Sequence, residues 1–117
     1  MRRMSFALTK EQVKNQSKNV TRRQGWANLK PGDLVQPVEK CMGLKKGEKQ
    51  KLIGGPIRIL SNRPEPVDAI RISKNECVRE GFPDWTAREF IALYCATNKI
   101  KPGDTCNRIH FEYVNPL

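Results

Sequence analysis

A five-residue pattern occurs twice in this chain, and each copy precedes a run of strand-forming residues. The copies are Leu29-Lys30-Pro31-Gly32-Asp33 and Ile100-Lys101-Pro102-Gly103-Asp104. Pro-Gly suits the central positions of a type II turn, because proline fixes its own φ and glycine accepts a positive φ. We therefore predict strands at Leu34–Lys40 and Thr105–Val114. No longer similarity flanks the copies, so they indicate shared turn chemistry and not an internal repeat.

The second of these strands shows the clearest alternation of the chain. Ile109, Phe111 and Tyr113 alternate with polar residues, which predicts one buried face and one solvated face; the polar residues are Arg108, His110 and Glu112. Further strands are expected at residues 4–9, through Val20, at Pro56–Ser61 and at Val67–Ser73. Two prolines within residues 62–66 predict a break before the strand at Val67–Ser73, since proline has no backbone N–H to donate to a sheet.

Three helical segments are predicted from capping residues. Thr9 and Gln12 have the spacing of a capping box, which predicts a helical turn through Gln16. Ser73 is expected to cap a short segment through Cys77 and Arg79. Thr86 and Glu89 form a second capping-box pair, and the apolar residues that follow predict a helix at Ala87–Thr97. Strands at short spacing with marginal helices predict a mixed α+β fold, a small and partly closed β-barrel.

Composition limits the class of protein. The 117 residues suit a single domain, residues 1–117, with a core that needs no metal or disulfide. No apolar run approaches the roughly 20 residues of a membrane helix, and the apolar start is too short for a signal peptide. We therefore expect a cytoplasmic protein with no membrane partner. The cysteines include no Cys-x-x-Cys pair and there is one histidine, so we expect reduced thiols, no metal and no cofactor.

The positive charge lies in the first half of the chain. Residues 1–60 hold 14 Lys and Arg against 4 Asp and Glu, whereas residues 61–117 hold 8 of each, for a net charge of +10. Such a field attracts polyanions and predicts salt-dependent binding of nucleic acid. The glycine-bearing, basic stretch around Lys45–Lys51 is expected to be a mobile hairpin loop that sweeps over a bound nucleic acid.

The block Lys18–Arg23 concentrates reactive side chains in the most basic part of the sequence. It holds an amine at Lys18, a hydroxyl at Thr21 and paired guanidinium groups at Arg22 and Arg23. Burial can neutralise a lysine, and arginine matches carboxylate or phosphate, so the set suits an anionic or nucleotide-like ligand. The alternative is an edge strand with solvated charges. Lys18 and Thr21 are three residues apart and can cooperate only where the backbone is not a regular strand throughout.

Trp26 follows this block and has two interpretations. Its ring either stacks on a base or covers the core.

Four motifs occur in one order and cover the chain from about Ser5 to Tyr113. They are Lys18-Asn19-Val20-Thr21-Arg22-Arg23, the first Pro-Gly turn, Glu80-Gly81-Phe82 before a helix that starts at threonine, and Arg108-Ile109-x-Phe111-Glu112-Tyr113. Together they resemble the ASCH domain of the PUA-like superfamily. The resemblance implies a PUA-like β-barrel with flanking helices and a cleft for RNA or nucleotide ligands.

The resemblance also implies an activity and its residues. Some small bacterial ASCH proteins are amidohydrolases that remove the acetyl group from N4-acetylcytidine, and their Lys-x-x-Thr pair and glutamate correspond to Lys18, Thr21 and Glu80. We expect these three to be catalytic and to lie within about one hydrogen bond or one bridging water of each other. Arg22, Arg23 and Trp26 are expected to bind substrate. The alternative for Glu80 is a solvated carboxylate near a helix start.

A second class of function fits the same cleft. ASCH and PUA-like proteins include RNA-binding modules, readers of modified bases and ribonucleases. For this class of function the expected partner is RNA or another single-stranded nucleic acid. The continuation Arg22-Arg23 and the segment Lys45–Lys51 are more basic than in the small amidohydrolases, which leaves room for a polymeric ligand in place of a nucleoside.

Overall fold

The chain is described by a computed structural model that covers residues 1–41 and 43–117. These residues form one α+β domain, as the mixture of strand and capping signals predicted. In chain order the elements are β1 (Arg2–Ser5), α1 (Lys10–Lys14), β2 (Val20–Arg23), β3 (Leu34–Val38), β4 (Ile57–Pro66), a 3-10 helix (Val67–Ile72), α2 (Asn75–Arg79), α3 (Ala87–Asn98) and β5 (Thr105–Tyr113).

The five strands form one mixed sheet in the order β1-β3-β4-β5-β2. Strand β1 pairs with β3 in parallel, and the other pairs are antiparallel. The expected β-barrel is not observed, because the sheet is open, with β1 and β2 at its two edges. The chain leaves β1 after Ser5 for α1, and β2 ends at Arg23.

Strand β4 continues through the prolines that were expected to end it. The predicted strand stopped at Ser61, yet β4 pairs with β5 as far as Pro66, after a register shift between Ile59 and Ser61. Its pairing with β3 is confined to Arg58 and Ile57. On the same edge, the Ile59 backbone still bonds to Gly32 and Asp33. Beyond Ile59 the described residues add no strand there, so a proline removes no hydrogen bond from the sheet.

The predicted strand at Val67–Ser73 is wrong. Val67–Ile72 is a 3-10 helix whose first two amides donate to the Asp104 and Pro102 carbonyls. Those carbonyls belong to the second Pro-Gly turn, so a contact distant in sequence decides the local conformation. The turn itself also differs from prediction. Gly32 has a φ of 93° and fits a type II turn, whereas Gly103 does not have a positive φ.

The predicted helices are present. Thr86 and Glu89 form the capping box of α3. Ser73 does not cap α2, because the N-cap is Lys74, although the Ser73 hydroxyl accepts from the Asn75 amide. At α1 the Thr9 side chain makes no capping hydrogen bond, and the Gln12 side chain donates to the Gly81 carbonyl, at 3.0 Å. Within the described residues no helix is long and apolar enough to cross a membrane.

Two hydrophobic clusters lie on opposite faces of the sheet. Ile109 and Phe111 of β5 belong to the first cluster, and Cys106 belongs to the second, which α3 and the 3-10 helix cover. Tyr113 is partly buried against the first cluster, as the alternation predicted. The prediction for Arg108 is wrong, because this residue was expected to face solvent and is only 6% exposed. Its guanidinium binds Glu76 of α2, a partner the alternation of β5 does not show.

Candidate functional site

A cavity of about 310 Å³ opens beside the two edge strands. Its walls come from the end of β1 and the residues that follow it, from β2 and Lys18 just before it, and from α3. All six residues selected from the sequence line it, namely Lys18, Thr21, Arg22, Arg23, Trp26 and Glu80. The cavity lies at the small end of the range of about 300 to 1,000 Å³ that holds small molecules. Its size suits a nucleoside-sized ligand better than a long stretch of polymer.

Lys18 and Glu80 form a buried pair in the wall of this cavity. Lys18 Nζ lies 2.8 Å from Glu80 Oε1 and 2.6 Å from the Glu80 backbone carbonyl oxygen. Both residues are 2% exposed. Glu80 is therefore not the solvated carboxylate of the alternative interpretation. Burial lowers the pKa of Lys18, against the attraction of Glu80, and the charges of Arg23 and Arg22 lower it further.

The backbone around both residues explains how they meet. Strand β2 begins only at Val20, so Lys18 lies outside the regular strand, which was the stated condition for cooperation with Thr21. Glu80 ends α2, and Gly81 follows it with a φ of 97°, a conformation that favours glycine. A Cβ at Gly81 would lie 3.0 Å from the Gln12 side chain and 3.5 Å from Lys18 Cβ. The turn that places Glu80 against Lys18 therefore depends on glycine.

Arg22 binds carboxylates and leaves little for a ligand. Its side chain is fully buried, and its terminal nitrogens lie 2.9 Å from Glu80, 2.7 Å from Glu76 and 3.3 Å from Glu65. Arg108 contributes a further guanidinium to Glu76, at 2.7 Å and 3.1 Å. Burial alone would lower the pKa of Arg22, but Glu80 and Glu76 raise it on balance. Arg22 thus orients Glu80, which in turn contacts Lys18.

Sequence reasoning missed Glu76, Glu65 and Arg108. The network that they complete joins four elements, β2, β4, α2 and β5, and no local spacing connects them. The available signal was compositional, since all three lie in the half of the chain where charges balance.

The protonation of Glu76 provides a test of this network. Burial alone would raise the pKa of Glu76, but Arg108 and Arg22 lower it to about 2. The folded-state pKa lies below the unfolded value of about 4.3, so its contribution to stability is present above that value and disappears as pH falls toward 2. We expect the stability difference between wild type and Glu76→Gln to shrink by about 2 kcal/mol from pH 6 to pH 3. Urea unfolding at each pH measures it.

The control for this experiment is Glu112→Gln. Glu112 pairs with Arg58 at 2.9 Å, with both side chains nearly half exposed. Its substitution should change stability little at either pH. An equal pH dependence in the two variants would show that Glu76 has no special protonation in the folded state.

Thr21 and Arg23 project from the same face of β2, opposite to Arg22. The Thr21 hydroxyl accepts a hydrogen bond from Arg23 Nε at 2.9 Å, and the Arg23 guanidinium lies 4.6 Å from the centre of the Phe6 ring. No hydrogen bond joins Thr21 to Lys18 in the described parts of the chain. Lys18 and Glu80 are in direct contact. Thr21 lines the same cavity, but its hydrogen-bond partner is Arg23. Burial lowers the pKa of Arg23 to about 10, so it remains charged at neutral pH.

Trp26 covers the core, as one of its two interpretations predicted, while stacking on a base stays a prediction. Its half-buried ring packs against the first hydrophobic cluster, lines the cavity, and carries the Arg2 guanidinium 4.2 Å from its centre. The basic loop lines a separate pocket that shares Ala7 with this cavity. The loop is closed at its base by a bridge between Val38 and Leu52, and Lys45, Lys46, Lys49 and Lys51 are exposed.

Among the described residues, no metal-binding group is found and no cysteine lines this cavity. Within residues 1–41 and 43–117, no three His, Cys, Asp or Glu side chains are grouped so that they could hold a metal ion. All four cysteines are free thiols, and burial raises the pKa of Cys106 to about 11. That thiol remains protonated at neutral pH.

Comparison with known proteins gives support for the fold. No protein-family model matches this sequence, and no curated protein sequence is significantly similar to it. The chain is similar in structure to the protein EF3133 from Enterococcus faecalis V583, whose crystal structure is described under the family name DUF984. The TM-score is 0.64 at 15% sequence identity, over 97% of this chain and 76% of the other. At that identity the likeness extends to the fold, and the arrangement of strands and helices described above therefore occurs in a solved structure.

Proposed function

We propose that this protein is an amidohydrolase of the ASCH type, which removes an acyl group from the exocyclic amine of a cytidine-type base. The observation that carries the proposal is the buried Lys18–Glu80 pair in the wall of a nucleoside-sized cavity that Thr21 also lines. A buried lysine with a lowered pKa is the group that can act as a base near neutral pH.

The hydrogen bonds of Lys18 are compatible with a neutral amine. A neutral amine has two N–H donors and one lone pair, and Lys18 has two acceptors, both on Glu80. With both donors engaged, the lone pair is left to accept a proton. Glu80 orients the amine in this arrangement, and Arg22 fixes the carboxylate of Glu80 from its other oxygen, at 2.9 Å.

Thr21 serves as the nucleophile in the proposed reaction. Its oxygen accepts from Arg23 Nε, so its own O–H remains free to donate to Lys18 directly or through one water. Lys18 takes this proton while the Thr21 oxygen attacks the acyl carbonyl. The C–N bond then breaks, the exocyclic amine leaves with the proton from Lys18, and water hydrolyses the Thr21 ester to release the acid and restore the hydroxyl.

A graded series at Thr21 tests this assignment. We expect Thr21→Ser to retain a measurable part of the hydrolysis of N4-acetylcytidine, because the hydroxyl remains. Thr21→Val should lose at least about 100-fold, since it keeps the shape and the strand propensity and removes the nucleophile. Chromatography of released cytidine measures both rates.

The control for this series is Thr105→Val, at an exposed threonine that begins β5. It should retain the wild-type rate. Equal activity of Thr21→Val and wild type would exclude Thr21 as the nucleophile and leave water activated by Lys18 as the remaining route.

The second candidate function is binding of RNA or another single-stranded nucleic acid. The exposed lysines of the basic loop favour it, because exposed ammonium groups suit contacts to a phosphate backbone. A binding module would bind long polymers far more tightly than nucleosides, with an affinity that falls steeply with salt, and would release no product.

A further inference from the structure

The buried charges beside the cavity are paired, with one exception. Lys18 and Arg22 in the cavity wall, and Arg108 behind it, contact the carboxylates of Glu65, Glu76 and Glu80, all within 3.3 Å. While Lys18 is protonated, before it acts as a base, these three cations and three anions give a neutral buried cluster. Such neutrality is expected, because an unpaired buried charge is costly.

Arg23 is the exception. Within residues 1–41 and 43–117 its guanidinium has no carboxylate within 4.0 Å, and its single hydrogen bond runs from Nε to the Thr21 hydroxyl. Its two terminal nitrogens have no protein partner among these residues, although the side chain is half-buried and lines the cavity. A charge held in a cavity without a counter-charge indicates that the ligand supplies one.

The position of the guanidinium is fixed on two sides. Thr21 holds Nε at 2.9 Å, and the ring of Phe6 lies under the plane at 4.6 Å. Both contacts are made by residues that line the cavity. The edge that carries the two terminal nitrogens is therefore left free, and it presents two parallel N–H donors, the geometry that binds a carboxylate or phosphate through two oxygens.

Aromatic side chains form the neighbouring wall. Phe90 and Tyr94 of α3 stack with ring centres 5.9 Å apart, and both line the cavity with Phe6. The cavity thus offers apolar ring surface beside a free guanidinium. A flat heterocycle that carries a nearby anionic group matches both features.

We propose that the cavity selects ligands that carry an anionic group, which Arg23 binds through its two terminal nitrogens. This inference rests on the proposed function, from which it takes the cytidine-type nucleobase. It adds that the substrate carries a negative charge. The anion is a phosphate, as in a nucleotide, or a carboxylate on the acyl group. A neutral nucleoside such as N4-acetylcytidine would then be a minimal substrate that leaves Arg23 unpaired.

Isothermal titration calorimetry with unreactive ligands tests the inference without turnover. In the phosphate arm, wild type binds cytidine and cytidine 5′-monophosphate. In the carboxylate arm, Lys18→Arg protein, in which hydrolysis is blocked and the charge kept, binds N4-acetylcytidine and N4-succinylcytidine. We expect the anionic ligand of at least one arm to bind about 10-fold tighter or more, since a hydrogen bond to a charged group contributes about 1.5 to 3 kcal/mol.

Substitution of Arg23 distinguishes a specific site from the general positive field. Arg23→Gln should abolish the preference for the anionic ligand, and Arg23→Lys, which keeps the charge without the paired donors, should retain part of it. Arg71→Gln, at an exposed arginine of the 3-10 helix, lowers the net charge equally and should keep the full preference.

Equal affinity for neutral and anionic ligands in both arms would overturn the inference, as would a preference that survives Arg23→Gln. An anion preference that depends on Arg23, in a protein that hydrolyses no acylated base, would instead refute the proposed function and support this inference.

Discussion

Glu80→Gln is expected to lose about 3 to 5 kcal/mol of unfolding free energy, the loss typical of a broken buried ion pair. The Glu80 carboxylate lies between the amine of Lys18 and the guanidinium of Arg22, at 2.8 Å and 2.9 Å. Glutamine keeps the shape and removes the charge, so the Arg22 guanidinium and the protonated form of Lys18 lose a shared partner. Urea unfolding followed by circular dichroism measures the change.

Glu112→Gln is the matched control, because Glu112 also accepts from an arginine, at 2.9 Å, but on the surface. Its expected change is below about 1 kcal/mol. A loss at Glu80 no larger than that at Glu112 would mean that the buried network does not stabilise the fold.

Lys18→Arg is expected to lower the rate of N4-acetylcytidine hydrolysis at least about 1,000-fold, within the range that a general base contributes. The substitution keeps the positive charge, but a guanidinium does not accept a proton at neutral pH. Initial rates under saturating substrate measure the effect, and a thermal melt shows whether the variant is folded.

Lys30→Arg is the matched control, at an exposed lysine of the first Pro-Gly turn. It should hydrolyse at the wild-type rate. If folded Lys18→Arg kept that rate as well, Lys18 would not be the base and its pair with Glu80 would have only a structural role.

Local signals in the sequence predicted the helices and most strand starts. The capping box of Thr86 and Glu89 defines α3, and the Pro-Gly pairs lie just before β3 and close to the start of β5. The interactions that decide these features lie within a few residues of each other, so a single sequence contains them.

Features that depend on distant partners could not be predicted in this way. The path of β4 through Pro64 and Pro66 follows from the absence of a neighbour on one edge, which only the sheet order reveals. The burial of Arg108 likewise follows from Glu76, which is 32 residues away. The open sheet also depends on whether β1 and β2, which are distant in sequence, pair with each other.

The candidate site was predicted in part. The cavity contains all six residues selected from the sequence, because the block before and along β2 and the end of α2 converge there. The different environments of Arg22 and Arg23 follow from the two-residue period of a strand, which sends neighbours to opposite faces. The assignment of Arg22 and Arg23 to opposite faces could be made only once the strand was known to begin at Val20.

Hydrolysis of N4-acetylcytidine by the wild-type protein, followed by chromatography across a pH series, tests the central claim most directly. The account predicts cytidine and acetate in equal amounts. It also predicts a rate that rises with pH through one ionisation, because Lys18 must lose its proton before it can act as a base, and a pKa below its usual value brings this step toward neutral pH. Release of no cytidine at any pH, together with salt-dependent binding of single-stranded RNA, would contradict it.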